Sequence, residues 1–483
     1  MNFILLFLIP SLLAIIILPM IADRCIAAKM SFLFSVFSFL CALPLIFSVY
    51  FHDQTVFFLN QWLFCDKLGA FFIGINSFIL MSTSFYSLGY LANEPPENLS
   101  KIIYRYYHTF FHLFSFGMLI VILSNNIGLM WIAMELSTIA SVVLVALYQT
   151  QEALEAAWKY LILCGMGIGL ALLGTVIIYF AAHDQLTNEQ GLLWTALFAN
   201  APNFSAKLLA ISFVFLFIGY GTKAGFFPLH NWLPDAHSEG PAPISALLSG
   251  LLLNVALLAI FRFKLILSKT SDADFASHLL LWFGFASLLF ASFSLMRQRK
   301  LKRLFAYSSI EHIGLISIAL GIGTPLAYFA GLLHLLMHSL SKTAAFFSSG
   351  SIIQRFHTQT ISQLKGLTQS FPFAGWSLLF CCFALLGLPP SGIFFSELLL
   401  LLAILKTHAL LALPLIIGLV VSFIAIFYKI QPIAFSMYPL TNDHLLKNRE
   451  ALTLPIMIHL FLVLLAGMII PLLMMHPIAH VLW

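Results

Sequence analysis

Long apolar runs alternate with short polar breaks along the whole chain. A bilayer takes about 20 apolar residues per crossing, and by that ruler the sequence holds roughly 14 spans. They fall at 2–20, 28–51, 68–91, 105–123, 126–148, 157–181, 206–227, 241–263, 277–296, 304–323, 325–350, 372–400, 408–429 and 452–475. No polar stretch between them is long enough for a soluble domain, and the period-two alternation of a β-barrel is absent. The pattern therefore predicts an all-α polytopic membrane protein. Residues 1–20 resemble a secretory leader in apolarity, but they lack a basic start and a small-residue cleavage site, so they read as a retained first span.

Two spans are punctuated by Gly and Pro. The seventh contains GYGTKAGFFP (219–228) and the twelfth ALLGLPPSGIFFSELLL (384–400). Such breaks leave backbone groups unpaired, which a membrane tolerates only in a protein interior or a wet cavity. The breaks lie five spans apart, an odd number, so equivalent units around them run in opposite directions. This predicts two inverted five-helix repeats, spans 4–8 (105–265) and 9–13 (276–430). Three helices in 1–104 precede them, and a last helix in 431–483 follows.

Composition agrees with the pattern. The 483 residues are 61% hydrophobic and 8% charged, against about 25% charged in soluble domains. The net charge of +5 is small and dispersed, which argues against a nucleic-acid partner. The six cysteines, Cys25, Cys41, Cys65, Cys164, Cys381 and Cys382, have no CxxC spacing and no Cys/His cluster around them. They read as packing residues, with no redox centre, no cofactor and no metal expected in the chain. With the first residue outside, about 14 of the 23 basic residues fall on the inner side. The densest run, RQRKLKR (297–303), is among them, so both termini are expected outside.

Against this background the ionisable residues within spans are few, and each costs several kcal/mol to bury. Glu135 sits in the middle of span 5, and Lys223 in span 7 between Gly221 and Gly225. A Glu135–Lys223 pair is the economical solution, and it makes a switch: a nearby carboxylate holds the proton on Lys223, and its withdrawal releases it. Lys159 begins span 6, where snorkelling or an i,i+4 pair with Glu155 accounts for it as well as a relay does. Span 10 carries Glu311 and His312. Span 11 carries His334, His338 and Lys342 at i, i+4 and i+8, one stripe on one helix face. Zinc at the two histidines of that stripe lacks a third and fourth ligand in the sequence; a proton relay uses the stripe better. Glu397, past the break in span 12, would end such a relay toward the outside. The loop after the seventh span offers His230, Asp235, His237 and Glu239 at its inner mouth.

The run KAGFFPLHNWLPDAHSEGPAPISALLSG, with WIAMEL before it and KRLFAYSSIEHIGLI after it, resembles the proton-conducting antiporter-type subunits of respiratory complex I, Mrp antiporters and membrane-bound hydrogenases. STIASVVLVALY, EALEAAWKY, IEHIGL and GLPPSGIFFSE are most similar to the hydrogenase-4 component F type. The resemblance covers about residues 70–430. It implies that Glu135 modulates Lys223, that His338 and Lys342 are relay positions, and that Glu397 is the acidic residue of span 12. Asn254 stands where some relatives place a lysine, so a proton would pass there without a titrating side chain.

The implied function is a proton-translocating membrane subunit of a redox-driven complex, in a bacterial inner membrane. Its partners would be other membrane subunits, a peripheral redox or soluble module, the lipid bilayer and protons. An Mrp-type cation/proton antiporter subunit and the proton-conducting partner of an inorganic-carbon uptake module remain open. A solute transporter is disfavoured, because the breaks flank single titratable groups rather than a roomy pocket.

Overall fold

The computed structural model describes residues 2–94, 101–437 and 453–475, with only the backbone of 101–105 and 471–475. Residues 95–100, between the expected third and fourth spans, and part of the 431–483 unit thus lie outside the described residues. The helices are α1 (Phe3–Ile17), α2 (Arg24–Phe51), α3 (Lys67–Ala92), α4 (Lys101–Leu123), α5 (Ile127–Val145) and α6 (Gln151–Ala182). Then come α7 (Trp194–Asn200), α8 (Ala206–Ala224), α9 (Leu233–Glu239), α10 (Ala242–Leu247), α11 (Leu253–Leu267), α12 (Ala273–Leu295) and α13 (Leu301–Ile322). The chain closes with α14 (Pro325–Phe356), α15 (Leu367–Ser370), α16 (Pro372–Leu385), α17 (Gly392–Thr407), α18 (Ala412–Phe435) and α19 (Thr453–Met475).

Capping residues set many of these starts. Asp66, Asn126, Thr150, Thr324 and Ser391 each accept a hydrogen bond from a backbone N–H of the following turn. Twelve helical stretches among the described residues are long and apolar enough to cross a membrane. The other two expected crossings are α14 and the pair α16–α17. α14 has 32 residues, but His334, His338, Lys342 and its serines make it too polar to stand out by hydropathy. α16 and α17 have 14 and 16 residues, each short of a full span.

Burial places the centre of the bundle. The window over Ala242–Leu267 is 94% buried and that over Leu301–Ile322 is 89% buried, against 33% for α2, α18 and α19. α10–α11 and α13 therefore form the core, and the last three face outward. Helix α4 packs on α5 and α6 on α8; in the second half α12 packs on α13, and α14 lies against α13, α16 and α17.

Both expected interruptions are present, and they differ in depth. α8 runs 19 residues and stops at Ala224, because Gly225 takes φ +82° and its N–H bonds back to Gly221 O at 3.0 Å. Lys223 is thus in the last turn of α8 rather than in mid-helix, where a positive charge meets the orphan carbonyls of a C-terminus. The second interruption, 386–391, divides its span near the middle, and Gly387 there has φ +60°. A third irregularity was not foreseen: a π-helical turn, Leu248–Leu252, joins α10 to α11. Nothing but Gly250 marks it in an otherwise apolar run. The structure also adds a β-hairpin to the all-helical expectation, with Val56–Phe58 (β1) antiparallel to Leu63–Cys65 (β2). Strands of three residues are too short for a periodicity to reveal.

Candidate functional site

The first cluster is built around Lys223. Its Nζ is fully buried and donates to Thr138 Oγ1 on α5 and Tyr160 OH on α6, both at 2.7 Å. The Tyr160 ring centroid lies 4.4 Å away, and Trp232 stacks on that ring with centroids 4.3 Å apart. The hydroxyl protons are committed elsewhere. Thr138 donates to Met134 O, and Ser141 donates to the Ser137 carbonyl, which leaves Ser141 Oγ to accept from Tyr160 at 2.8 Å. Both hydroxyls therefore present lone pairs to the amine, a cradle that favours a donor at Nζ. Trp232 Nε1 caps the end of α8 through Thr222 O at 2.8 Å.

Glu135 is not ion-paired with Lys223 among the described residues, contrary to the expected pair. Thr138, one turn further along the same face of α5, holds the amine instead, and Glu135 Oε2 is buried without a hydrogen-bond partner. Sequence reading missed Thr138 and Tyr160. Their signal was available, since Thr138 follows Glu135 at i+3 and Tyr160 follows Lys159 directly. Lys159 itself points to the surface, paired with Glu155 at 2.6 Å and Asp235 at 3.3 Å.

The middle of the molecule carries hydroxyls and amides. Asn254 Nδ2 on α11 donates to Ser339 Oγ on α14 at 2.7 Å and to Gly250 O at 3.0 Å, and Asn254 Oδ1 is buried without a partner. In the π-helical turn, Ser249 Oγ meets Ser309 Oγ at 2.7 Å; Ser309 already donates to Phe305 O, so Ser249 is the donor. Lys342 Nζ donates to the same Phe305 carbonyl at 3.0 Å. The irregular turn thus faces the polar stripe of α14, a common setting for π-turns.

The second cluster climbs from Lys342 toward Glu397. His338 is fully buried, and neither ring nitrogen has a partner. Its ring centroid lies 5.3 Å from that of His312 on α13. His312 Nδ1 and His334 Nε2 are 2.9 Å apart, and His334 Nδ1 meets Ser396 Oγ at 2.9 Å. Ser396 donates its one proton to Ile393 O at 2.7 Å. It therefore accepts from His334 Nδ1–H, which leaves a lone pair on His334 Nε2 to accept from His312 Nδ1–H. His312 Nε2, on the side away from that bond, is then a bare lone pair, and it has no partner. One ligand-type atom each from His312, His334 and Glu397 lies within 4.8 Å of the other two. Glu311, next to His312 on α13, is also buried.

Ion pairs hold α9 against α6 and the start of α13. Asp235 binds Arg303 and Lys159, and Glu239 binds Lys300 at 3.0 Å. Burial pushes His230 down to about 4. Burial, with the charges of Lys342 and Lys302, pushes His237 down to about 3. Both are neutral imidazoles at neutral pH, and His237 has no partner at either nitrogen. Two buried basic residues that sequence reading passed over serve structure. Arg262 forms two 2.6 Å bonds to Asp66, and Lys264 holds Leu320 O at 2.6 Å and Tyr328 OH at 2.9 Å.

A family described as NADH:quinone oxidoreductase/Mrp antiporter, TM, matches residues 124–425. The chain is 46% identical over 459 residues to the hydrogenase-4 component F homolog of Methylacidiphilum infernorum (isolate V4), covering 95% of this chain and 94% of that one. Its fold is similar to a chain of the membrane-bound sulfane sulfur reductase, an archaeal respiratory membrane complex. That match has a TM-score of 0.88 and 24% identity over 97% of this chain and 94% of that one. It is also similar to a chain of the Mrp complex from Dietzia sp. DQ12-45-1b, with a TM-score of 0.84 and 17% identity over 98% and 95%.

Proposed function

The chain belongs to the NADH:quinone oxidoreductase/Mrp antiporter membrane family, and from that premise we propose that it is the proton-translocating membrane subunit of a redox-driven complex of hydrogenase-4 type. The observation that carries the proposal is Lys223, fully buried and held by two neutral hydroxyls. A cation costs several kcal/mol in such a place, and structure alone has no need of it there. Lys223 would hold the proton while Glu135 is near and release it when Glu135 withdraws. The proton would cross the Asn254 region along bound water, since Asn254, Ser249 and Ser339 offer hydrogen bonds but no titration near neutral pH. It would then pass Lys342 and His338, enter His312 at Nε2, leave at Nδ1 for His334 Nε2, and reach Glu397. Moving each proton outward costs about 2.3 kcal/mol per 100 mV, which electron transfer in partner subunits would supply.

On this reading the chain spans a bacterial inner membrane with both termini outside, the 297–303 run on the cytoplasmic side, and residues 105–265 and 276–430 as inverted repeats. Its partners are other membrane subunits and a peripheral redox module. The test compares His338→Ala, His312→Gln and His334→Gln for proton transport in sealed vesicles carrying the assembled complex, at equal membrane abundance. All three should lose transport; normal transport in His338→Ala would mean that the stripe on α14 is packing and the second half conducts by another path.

A further inference from the structure

The tautomers of the second cluster set one imidazole lone pair for a task besides proton transfer. His334 Nδ1–H is fixed by Ser396, which is fixed in turn by Ile393 O. Its Nε2 lone pair is thereby directed at His312 Nδ1. A hydrogen bond from the far ring nitrogen is what orients a histidine as a metal ligand. His312 Nδ1 stands 2.9 Å from that lone pair. Donors 2.0–2.1 Å from a tetrahedral zinc ion are about 3.3 Å apart, so the imidazole pair is already near ligand spacing. Glu397 supplies the third donor within 4.8 Å. It is only partly buried, so its carboxylate can swing in by about the 1–1.5 Å that zinc geometry requires. Gly387 leaves that carboxylate room, because a Cβ there would collide with Glu397 Oε2.

We propose that His312, His334 and Glu397 form an exchangeable site for a divalent transition metal of imidazole-binding character, with Zn²⁺ the best-suited ion, and that its occupation blocks proton passage. Two imidazoles and one carboxylate with a fourth position open match the donor preferences of zinc rather than those of calcium or magnesium. To bind, His312 transfers its proton from Nδ1 to Nε2, where no existing hydrogen bond has to be broken. The ion then holds the two lone pairs that the proposed relay uses. The pair differs from the one the sequence suggested: His312 joins His334 from the neighbouring helix, and His338 stays outside the set. The blocking step rests on the proton-relay reading above; the binding does not.

The experiment uses the purified full chain in lipid nanodiscs, stripped with chelator and titrated with Co²⁺, whose visible d–d absorption reports coordination, with Zn²⁺ as competitor. Wild type should show one saturable, Zn²⁺-displaceable band. His312→Gln, His334→Gln and Glu397→Gln should each weaken it at least tenfold, and Ser396→Ala about 10–100-fold through the lost orientation of His334. Thermal melting of each variant separates lost ligands from lost fold, and the partly exposed Glu397→Gln is the variant least prone to misfold. No saturable band in wild type, or unchanged affinity in folded Glu397→Gln and His334→Gln, overturns the site. A band with these dependences but proton flux insensitive to Zn²⁺ keeps the metal site and refutes the relay through it.

Discussion

Replacing Arg262 by Met tests how α11 is held to the start of α3. The guanidinium is 2% exposed and makes two 2.6 Å bonds to Asp66, whose side chain is 27% exposed. It also lies 4.8 Å from the Phe64 ring and 4.7 Å from Trp194. Met keeps most of the apolar stem between those rings but leaves Asp66 unpaired. Breaking a buried pair costs about 3–5 kcal/mol, and the partial exposure of Asp66 puts this case at the low end. The cation–π contacts add about 0.5–1 kcal/mol, for a total of about 3–4 kcal/mol. Asp66→Asn keeps the cap on Gly69 N–H, 2.8 Å away, but strands a guanidinium that is 2% exposed, at about 3–5 kcal/mol. The double variant should cost about 2 kcal/mol less than the sum of the two. Unfolding in lipid–detergent micelles at pH 7 measures all three. Costs that add within about 0.5 kcal/mol would refute the pairing argument. Burial alone would raise Asp66, but the bonds and charge of Arg262 outweigh it and hold the carboxyl below its ordinary 3.8. The stability it contributes is therefore present above that value and lost as pH falls through the lower folded one. The coupling should shrink on acidification below about pH 4.

Gly387→Ala forces a Cβ into the left-handed backbone at about 1–2 kcal/mol and drives it against the Glu397 carboxylate. Proton transport should fall far more than membrane abundance, measured on the same vesicles, and a proportional fall in both would mean a purely structural effect. A cysteine at Gln298→Cys should be labelled by an impermeant thiol reagent only from the cytoplasmic side; labelling in intact cells would reverse the proposed orientation. Asn254→Leu removes the amide while Ser339 keeps its 2.8 Å bond to Gly250 O. The fold should persist while transport drops at least about tenfold, as a proton path loses its polar stepping point; unchanged transport would place the crossing elsewhere.

The spans were legible because about 20 apolar residues are needed for each crossing, and that demand writes itself into the chain. The buried charges were legible for the complementary reason, since Lys223, His338 and Glu397 stand out in an apolar background. What the sequence hid was pairing across helices. Thr138 and Tyr160 look like ordinary polar residues until α5 and α6 bring them to Lys223. His312 and His334 lie 22 residues apart, and their meeting depends on how α13 packs on α14. Arg262 and Asp66 are 196 positions apart, so no local pattern links them. The π-helical turn was hidden too, because a one-residue shift in hydrogen bonding leaves little compositional mark. Lys159 was half legible: its i,i+4 pair with Glu155 is present at 2.6 Å, and the fold adds the second partner, Asp235.

The central claim is that Lys223 is loaded and unloaded with a proton during transport. Lys223→Met keeps the volume and removes the charge, so Thr138 and Tyr160 lose a donor but no buried ion is stranded. The measurement is the proton-transport rate of this variant in sealed vesicles, beside wild type at equal abundance of the assembled complex. Transport should fall to the level of vesicles lacking the complex, with assembly intact. Wild-type transport in Lys223→Met would contradict the account at its base.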